Sequence, residues 1–246
     1  MTKILAHRGA NKHAPQNTLP AFLKAIELGA DGVENDVHLT KDGQLVICHN
    51  YTIDETSNGT GSITDYTLEE LKKFDFGAYF SPAFAGTQIP TLDEFLEIAD
   101  PFQIINVEIK SPKSGEKEIV RKTIECVKAH RLFDRLIISS FDPRLLVEAK
   151  EIDPATRTGF LYSPDSPVIE QVYDDPIAYA KGIHADALHP LIAYVDEDYI
   201  EECHKAGIIV NPWTVNLEEA MRLCSEWGSD GIITDTPDIA VQEIRK

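Results

Sequence analysis

The chain has 246 residues, of which 43% are hydrophobic and 26% charged, a composition typical of a globular protein with one substantial core. Its formal net charge of −18 disfavours nucleic acid and anionic membranes as partners, because both would repel it. No apolar run approaches the roughly 20 residues that span a bilayer, and the short apolar patch at residues 4–6 leads us to expect no signal peptide. We therefore expect a cytoplasmic protein that does not insert stably into membranes.

Short β-branched or apolar runs alternate with helical stretches, and this alternation predicts a parallel sheet covered by helices. The predicted strands lie at residues 3–7, 32–37, 104–109, 136–139, 157–162, 182–188, 208–213 and 231–234. The predicted helices lie at residues 18–28, 114–129, 143–151, 168–180, 195–206, 217–226 and 237–244. Eight such strands favour a single (β/α)8 TIM-barrel domain over residues 1–246. A doubly wound sheet is the alternative, although no glycine-rich phosphate loop follows the first strand.

Residues 50–90 depart from this alternation. The stretch is rich in Gly, Thr, Asp and aromatic residues, and it contains one clear helix start at Thr67. We expect a long excursion between the second strand and its helix, which begins near Thr91. Excursions of this kind lie over the mouth of a barrel, where substrates bind.

Two predicted strands carry carboxylates on one face. Side-chain alternation places Glu34 and Asp36 together along the second strand, and Glu108 with Lys110 along the third. The opposite faces are apolar and suit the outer helices, so the carboxylates should point into the barrel. Three buried carboxylates need a counter-charge, and a hard divalent cation suits such a cluster of oxygen ligands. Ion pairs with Lys110 and Arg8 are the alternative.

Two of the eight histidines, His7 and His49, each end an apolar run. A polar residue at the C-terminal end of a barrel strand lies at the catalytic face. Either histidine alone is explained equally well as a core residue. Together with Arg8 and the three carboxylates, they predict an acid–base pair that works near neutral pH.

Several segments closely resemble those of the glycerophosphodiester phosphodiesterases, and they keep the family's order from one end of the chain to the other. The first is His7-Arg8-Gly9. The others are residues 14–18, 29–37, 40–43, 49–50, 86–92, 107–110, 213–216 and 230–235. The chain resembles the short bacterial-type members that have no extra domain.

This resemblance implies a (β/α)8 barrel that hydrolyses glycerophosphodiesters to an alcohol and glycerol 3-phosphate. It implies one Ca²⁺ or Mg²⁺ ion as cofactor, with metal ligands, an acid–base pair and phosphodiester contacts from the residues singled out above. The ligands are Glu34, Asp36 and Glu108; the acid–base pair is His7 and His49; the phosphodiester contacts are Arg8 and Lys110. We expect His7 to be the base and His49 the acid. Trp213 is predicted either as an apolar wall for the substrate or as core packing.

Three positions near the predicted site depart from the family's pattern. Gln16 stands where the family usually has Glu, Asn50 where it often has Asp, and Glu55 where it often has Arg. The loss of a charge at Gln16 could alter the affinity for metal or phosphate. Asn50 can still form a hydrogen bond with His49, but it does not raise the basicity of the ring as a carboxylate would.

Two other functions remain open at this point. One is phospholipase-D-like action on lysolipids, although relatives of that kind tend to be secreted and disulfide-bonded. The other is a catalytically impaired protein that only binds phosphodiesters, for which Gln16 and Asn50 are the support. The sequence leaves the head group and the oligomeric state open.

Overall fold

The computed structural model describes residues 1–111, 118–166 and 168–245, and it confirms the predicted (β/α)8 barrel. The described strands are β1 (Lys3–His7), β2 (Gly32–Leu39), β3 (Leu45–Ile47), β4 (Ile104–Ile109), β5 (Leu136–Ser140), β6 (Arg157–Tyr162), β7 (Ala187–Pro190), β8 (Ile209–Val210) and β9 (Gly231–Thr234). All except β3 run parallel in the order β8-β7-β6-β5-β4-β2-β1-β9. Backbone bonds from Ile233 N to Pro212 O and from Val215 N to Ile233 O, both 2.9 Å, join the two ends of this order.

Helices cover the outside of the barrel strands, except for α2 (Leu68–Leu71), which lies in the 50–90 excursion. They are α1 (Leu19–Glu27), α2 (Leu68–Leu71), α3 (Leu92–Leu96), α4 (Glu118–Ala129), α5 (Pro143–Ile152), α6 (Ile169–Val172), α7 (Pro176–Gly182), α8 (Glu197–Lys205), α9 (Glu218–Glu226) and α10 (Pro237–Ile244). Side-chain caps from Thr18, Asp142 and Asp196 accept bonds from the first turns of α1, α5 and α8, which explains why these helices begin there. None of the helices in the described ranges is long and apolar enough to cross a bilayer.

Three predicted boundaries were wrong. The strand predicted at 182–188 is Ala187–Pro190, because the apolar residues before it form the end of α7 and a turn in which His184 has φ +56°. The strand predicted at 208–213 stops at Val210, since Pro212 has no backbone N–H for the ladder. The helix predicted at 168–180 is two helices, with Pro176 starting the second. The first four residues of the helix predicted at 114–129 lie outside the described residues.

The excursion at 50–90 has a small core of its own. It follows β3, which pairs antiparallel with β2 so that the chain returns toward the barrel mouth. Buried side chains from β3 and the excursion form one cluster: Val46, Cys48, Ile53, Ile63, Leu71, Phe76 and Ile89. Capping boxes at Thr67 and Thr91 confirm the two predicted helix starts. This cluster fixes the segment that carries His49 against the mouth.

Candidate active site

The three predicted carboxylates come together at the mouth of the barrel. Asp36 on β2 is in register with Glu108 on β4, and Glu34 lies two residues earlier on the same face of β2. One carboxylate oxygen from each residue lies within 4.8 Å of the other two, and the three residues are 1–8% exposed. The alternation of the strand therefore placed these side chains correctly from the sequence.

The three carboxylates carry more negative charge than the neighbouring Lys110 and Arg8 compensate. Lys110 Nζ lies 2.8 Å from Asp36 Oδ1 and 2.5 Å from Glu108 Oε1. Burial opposes ionisation of Asp36, but the charges of Lys110 and Arg8 keep its pKa below its ordinary value. Burial and the other carboxylates raise the pKa of Glu34, and burial is the main cause that raises the pKa of Glu108 to about 7. An all-oxygen cluster whose negative charge exceeds the positive charge of Lys110 and Arg8 fits a hard divalent cation.

Arg8 lies beside this cluster in a constrained conformation. Its backbone has φ +56°, its N–H donates to Glu34 Oε2 at 3.1 Å, and its Nε is 3.6 Å from Asp36 Oδ2. Its Nη1 donates to Gln16 Oε1 at 2.8 Å. A Cβ on Gly9 would come within 2.7 Å of the backbone of Ala21 in α1, so the following turn requires glycine. The turn presents the guanidinium to the mouth.

His7 at the end of β1 is anchored by a carboxylate. Its Nδ1 lies 2.6 Å from Asp235 Oδ1, just beyond β9, and its Nε2 is 3.9 Å from Glu34 Oε2. Asn11 and Asn216 donate to the two oxygens of Asp235, at 2.6 and 2.8 Å. Burial lowers the pKa of His7, while the hydrogen bond to Asp235 opposes this change. Because the carboxylate only accepts, Nδ1 carries the proton and Nε2 remains for the site.

His49 is anchored by an amide. Its Nδ1 lies 2.6 Å from Asn50 Oδ1, and Asn50 Nδ2 donates to Glu55 Oε2 at 2.7 Å. Burial, together with the charge of Lys110, lowers the pKa of His49 to about 4 even though Asp36 opposes this change. In the metal-free protein His49 is therefore neutral at pH 7.

A cleft of about 510 Å³ opens beside this cluster. His49, Glu108 and Lys110 contribute to its polar wall, and Phe141 contributes an aromatic side. Trp213 packs edge-on against Phe141 with ring centroids 5.5 Å apart, and its Nε1 donates to His189 O at 2.7 Å. Among the described residues, Trp213 thus stands behind the cleft wall, and its predicted contact with substrate stays a prediction.

Sequence reasoning missed four polar residues that support the site. Asp235, Asn11 and Asn216 hold His7, and Asn17 Nδ2 donates to Asp36 Oδ2 at 2.7 Å. Asn17, Asn216 and Asp235 lie within segments that carry the family resemblance, which was the available signal. The pairing of His7 with a residue 228 positions away has no local signal in the sequence.

Comparison with known proteins gives a consistent result. Residues 7–239 match the model of the glycerophosphoryl diester phosphodiesterase family. A glycerophosphodiester phosphodiesterase of Caldanaerobacter subterraneus subsp. tengcongensis is 42% identical, over 100% of this chain and 98% of that protein.

Two solved structures are also similar over nearly their whole length. A phosphodiesterase from Oleispira antarctica, in complex with the product sn-glycerol-3-phosphate, has a TM-score of 0.89 and 29% identity, covering 100% of this chain and 98% of that one. A glycerophosphodiester phosphodiesterase from Thermotoga maritima has a TM-score of 0.79 and 32% identity, covering 98% of each chain.

Proposed function

The chain belongs to the glycerophosphoryl diester phosphodiesterase family, and on that premise we propose that it hydrolyses glycerophosphodiesters to an alcohol and glycerol 3-phosphate. We propose one divalent cation, Ca²⁺ or Mg²⁺, as its cofactor. One observation carries the proposal. Two histidines, each held by a hydrogen bond at Nδ1, lie with the side chains of Arg8 and Lys110 around three buried carboxylates. The product complex of the Oleispira antarctica relative supports the choice of substrate.

Binding of the anionic substrate depends on local positive charge, because the chain as a whole is strongly acidic. Arg8 offers a planar fork of donors to phosphate oxygens, and Lys110 adds a compact charge. Glu34, Asp36 and Glu108 would hold the cation. When bound, a cation there supplies further positive charge and eases the loss of a proton from a neighbouring hydroxyl.

We assign the base to His7 and the acid to His49. His7 takes a proton at Nε2 from the attacking group, either the neighbouring glycerol hydroxyl or water, and the carboxylate of Asp235 stabilises the resulting imidazolium. His49 gives a proton to the leaving alcohol as its P–O bond breaks. If water attacks, this step gives glycerol 3-phosphate directly; if the glycerol hydroxyl attacks, water must then open the resulting cyclic phosphate. An anionic phosphodiester offsets the charges of Lys110 and Arg8 that lower the pKa of His49, so substrate binding favours the protonated ring that an acid requires.

Two of the three departures from the family's pattern keep a hydrogen bond to a predicted site residue, which supports hydrolysis over a binding-only role. Gln16 accepts a bond from Arg8, and Asn50 accepts one from His49. Within the excursion Phe76 is buried, and the large exposed apolar side chains are Tyr79 (42%) and Phe80 (37%), which offers little surface for a lysolipid chain. All four cysteines lie as free thiols, which suits the predicted cytoplasmic location.

One assay separates these functions. The protein is incubated with glycerophosphocholine, glycerophosphoethanolamine or lysophosphatidylcholine, with chelator, Ca²⁺ or Mg²⁺, and the released glycerol 3-phosphate is measured, together with released choline for lysophosphatidylcholine. We expect product that chelation abolishes and one of the two ions restores. Product that persists in chelator would contradict the cation. No product with either ion would favour the binding-only protein, and turnover of lysophosphatidylcholine alone would favour phospholipase-D-like action.

A further inference from the structure

Two of the departures from the family's pattern contact each other. The resemblance described above leads us to expect Asp and Arg where this chain has Asn50 and Glu55, so the negative charge here is on the second residue of the pair instead of the first. In the structure these two side chains are joined by a bond of 2.7 Å, and Asn50 also contacts His49. The two changes therefore form a single connected arrangement around one histidine.

The chemistry of the acceptor determines the direction of every bond in this arrangement. The carboxylate of Glu55 can only accept, so Asn50 must turn its NH₂ group toward it. The amide oxygen of Asn50 then faces His49, and Nδ1 of that ring must be the donor. An amide turned the other way would place two acceptors, Asn50 Oδ1 and Glu55 Oε2, against each other.

We propose that Glu55 is a positioning residue which, acting through Asn50, holds His49 as the Nδ1–H tautomer. Proton exchange at His49 then takes place at Nε2, whether the ring acts as acid or base. We further propose that Asn50 and Glu55 are a matched pair that can be replaced only together. The catalytic part of this inference rests on the proposed function, but the tautomer does not.

The backbone around Glu55 makes such positioning feasible. Glu55 itself is exposed, but Ile53 is fully buried in the core of the excursion, and Thr56 is 5% exposed. The carboxylate thus projects from a segment that is anchored on both sides. His49, Asn50 and Glu55 all line the same cleft. A substitution at Glu55 therefore affects His49 through the hydrogen bonds of Asn50 and leaves the core of the excursion in place.

The first test uses single and paired substitutions. Asn50→Asp alone places two carboxylates at hydrogen-bonding distance, and Glu55→Arg alone offers donors to the NH₂ group of Asn50, which drives the amide to flip. For each we expect kcat to fall about tenfold, the effect of losing one well-placed hydrogen bond, with KM changed less than about twofold. Asn50→Asp combined with Glu55→Arg should recover kcat to within about threefold, because an Asp carboxylate accepts from both neighbours.

The second test measures the tautomer directly. Ring ¹⁵N chemical shifts of His49, assigned by their loss in His49→Gln, should show the proton on Nδ1 in the metal-free protein. Glu55→Gln should give a mixture of both tautomers, because a Gln amide can donate to or accept from Asn50. The ring signals of His7 should not change. Glu69→Gln is the matched control, since Glu69 is an exposed carboxylate of the same excursion paired with Lys73.

The outcomes are distinct. An unchanged tautomer in Glu55→Gln, or a paired variant no more active than its single variants, would overturn the inference. If the wild-type protein hydrolyses no glycerophosphodiester, the proposed function fails, yet the ¹⁵N measurement still decides whether Glu55 sets the tautomer. Thermal unfolding of each variant checks that the chain is folded, and Glu55 is exposed enough for its substitution to be tolerated.

Discussion

The two histidines at the mouth are supported in different ways. His7 is at the end of β1, and its partner Asp235 follows β9, the neighbouring strand of the barrel. His49 lies outside the barrel strands, after β3, and its support comes from the next residue and from Glu55 further along the same segment. In the first support a carboxylate contacts Nδ1 directly, whereas in the second an amide stands between the ring and the charge.

This difference separates two functions of a supporting side chain. Both partners accept from Nδ1 and therefore fix the same tautomer. A carboxylate in direct contact also stabilises the imidazolium form, and the hydrogen bond that Asp235 accepts from His7 does oppose the effect of burial on the pKa of His7. Asn50 fixes the orientation of the His49 ring but stabilises its imidazolium form much less, and burial lowers the pKa of His49 to about 4. The contrast fits a base at His7 and a ring at His49 that readily releases a proton.

Removing each ring gives the largest expected effect. We expect His7→Gln and His49→Gln each to lower kcat by roughly 10²- to 10⁴-fold, the usual contribution of a general acid or base. The measurement is the rate of glycerol 3-phosphate release at saturating substrate. Metal-induced thermal stabilisation should survive in both variants, since neither ring is a proposed metal ligand. A loss of only two- or threefold at either position would remove that histidine from the acid–base pair.

Replacing the Asp235 carboxylate, which holds His7, with an amide should produce the next largest effect. In Asp235→Asn the retained oxygen can still accept from His7, so the tautomer survives while the charge is lost. We expect kcat to fall roughly 10- to 100-fold, the worth of a charged hydrogen bond. Loss of the negative partner lowers the pKa of His7. Because a base must be neutral, the acid limb of the kcat/KM profile should therefore move to lower pH.

A control for this variant lies elsewhere in the chain. Asp230 accepts from His204 Nε2 at 2.8 Å, so Asp230→Asn also changes a His–Asp pair, but one before β9 instead of after it. It should leave kcat and the pH profile unchanged. An Asp235→Asn variant that behaves like this control would mean that charge at Asp235 is not needed and that the two supports are equivalent.

The two supports also differ in how far the sequence could predict them. Alternation along β2 and β4 was enough to place Glu34, Asp36 and Glu108 inward, because strand geometry has a period of two residues. The segment before His49 was correctly identified as apolar but interpreted as the end of a barrel strand, whereas β3 runs antiparallel outside the barrel. Periodicity cannot distinguish those cases, since the residues before His7 and those before His49 are both short, continuously buried apolar runs.

Contacts between distant residues explain most of what the sequence did not predict. Asn50 and Glu55 stood out from the sequence because they depart from the family's pattern within six residues of His49. Asp235 was not recognised, since only barrel closure brings β9 beside β1. The end of the strand at Val210 and the break before Pro176 depend on single prolines within otherwise suitable patterns.

Cation binding at the carboxylate cluster should depend neither on Asp235, which holds His7, nor on Glu55, which acts on His49. The raised pKa values of Glu34 and Glu108 favour the folded state at low pH, and this contribution is lost as pH rises toward and through about 7. A bound cation compensates the ionised carboxylates, so the increase in Tm caused by Ca²⁺ or Mg²⁺ should be at least about 3 °C larger at pH 8 than at pH 5. Asp235→Asn and Glu55→Gln should show the same increase.

Differential scanning calorimetry of each protein, with cation and with chelator, measures this difference. An increase that is equal at pH 5 and pH 8 would mean that the cation does not bind at these carboxylates. An increase that Asp235→Asn abolishes would mean that the support of His7 extends to the cluster, and the two histidine environments would then differ in more than the contact at Nδ1.

The smallest expected effect concerns Gln16, the third departure from the family's pattern. Gln16→Glu gives Arg8 a charged partner, which competes with the phosphodiester for the guanidinium. An exposed or half-buried pair of this kind is worth about 0.5–1 kcal/mol, so we expect KM to rise about 2- to 5-fold while kcat stays constant. Gln103→Glu is the matched control, because Gln103 accepts from Lys3 at the opposite end of β1. If Gln16→Glu instead lowered kcat tenfold, Arg8 would act mainly on the transition state, and the amide at Gln16 would tune catalysis as Asn50 is proposed to do at His49.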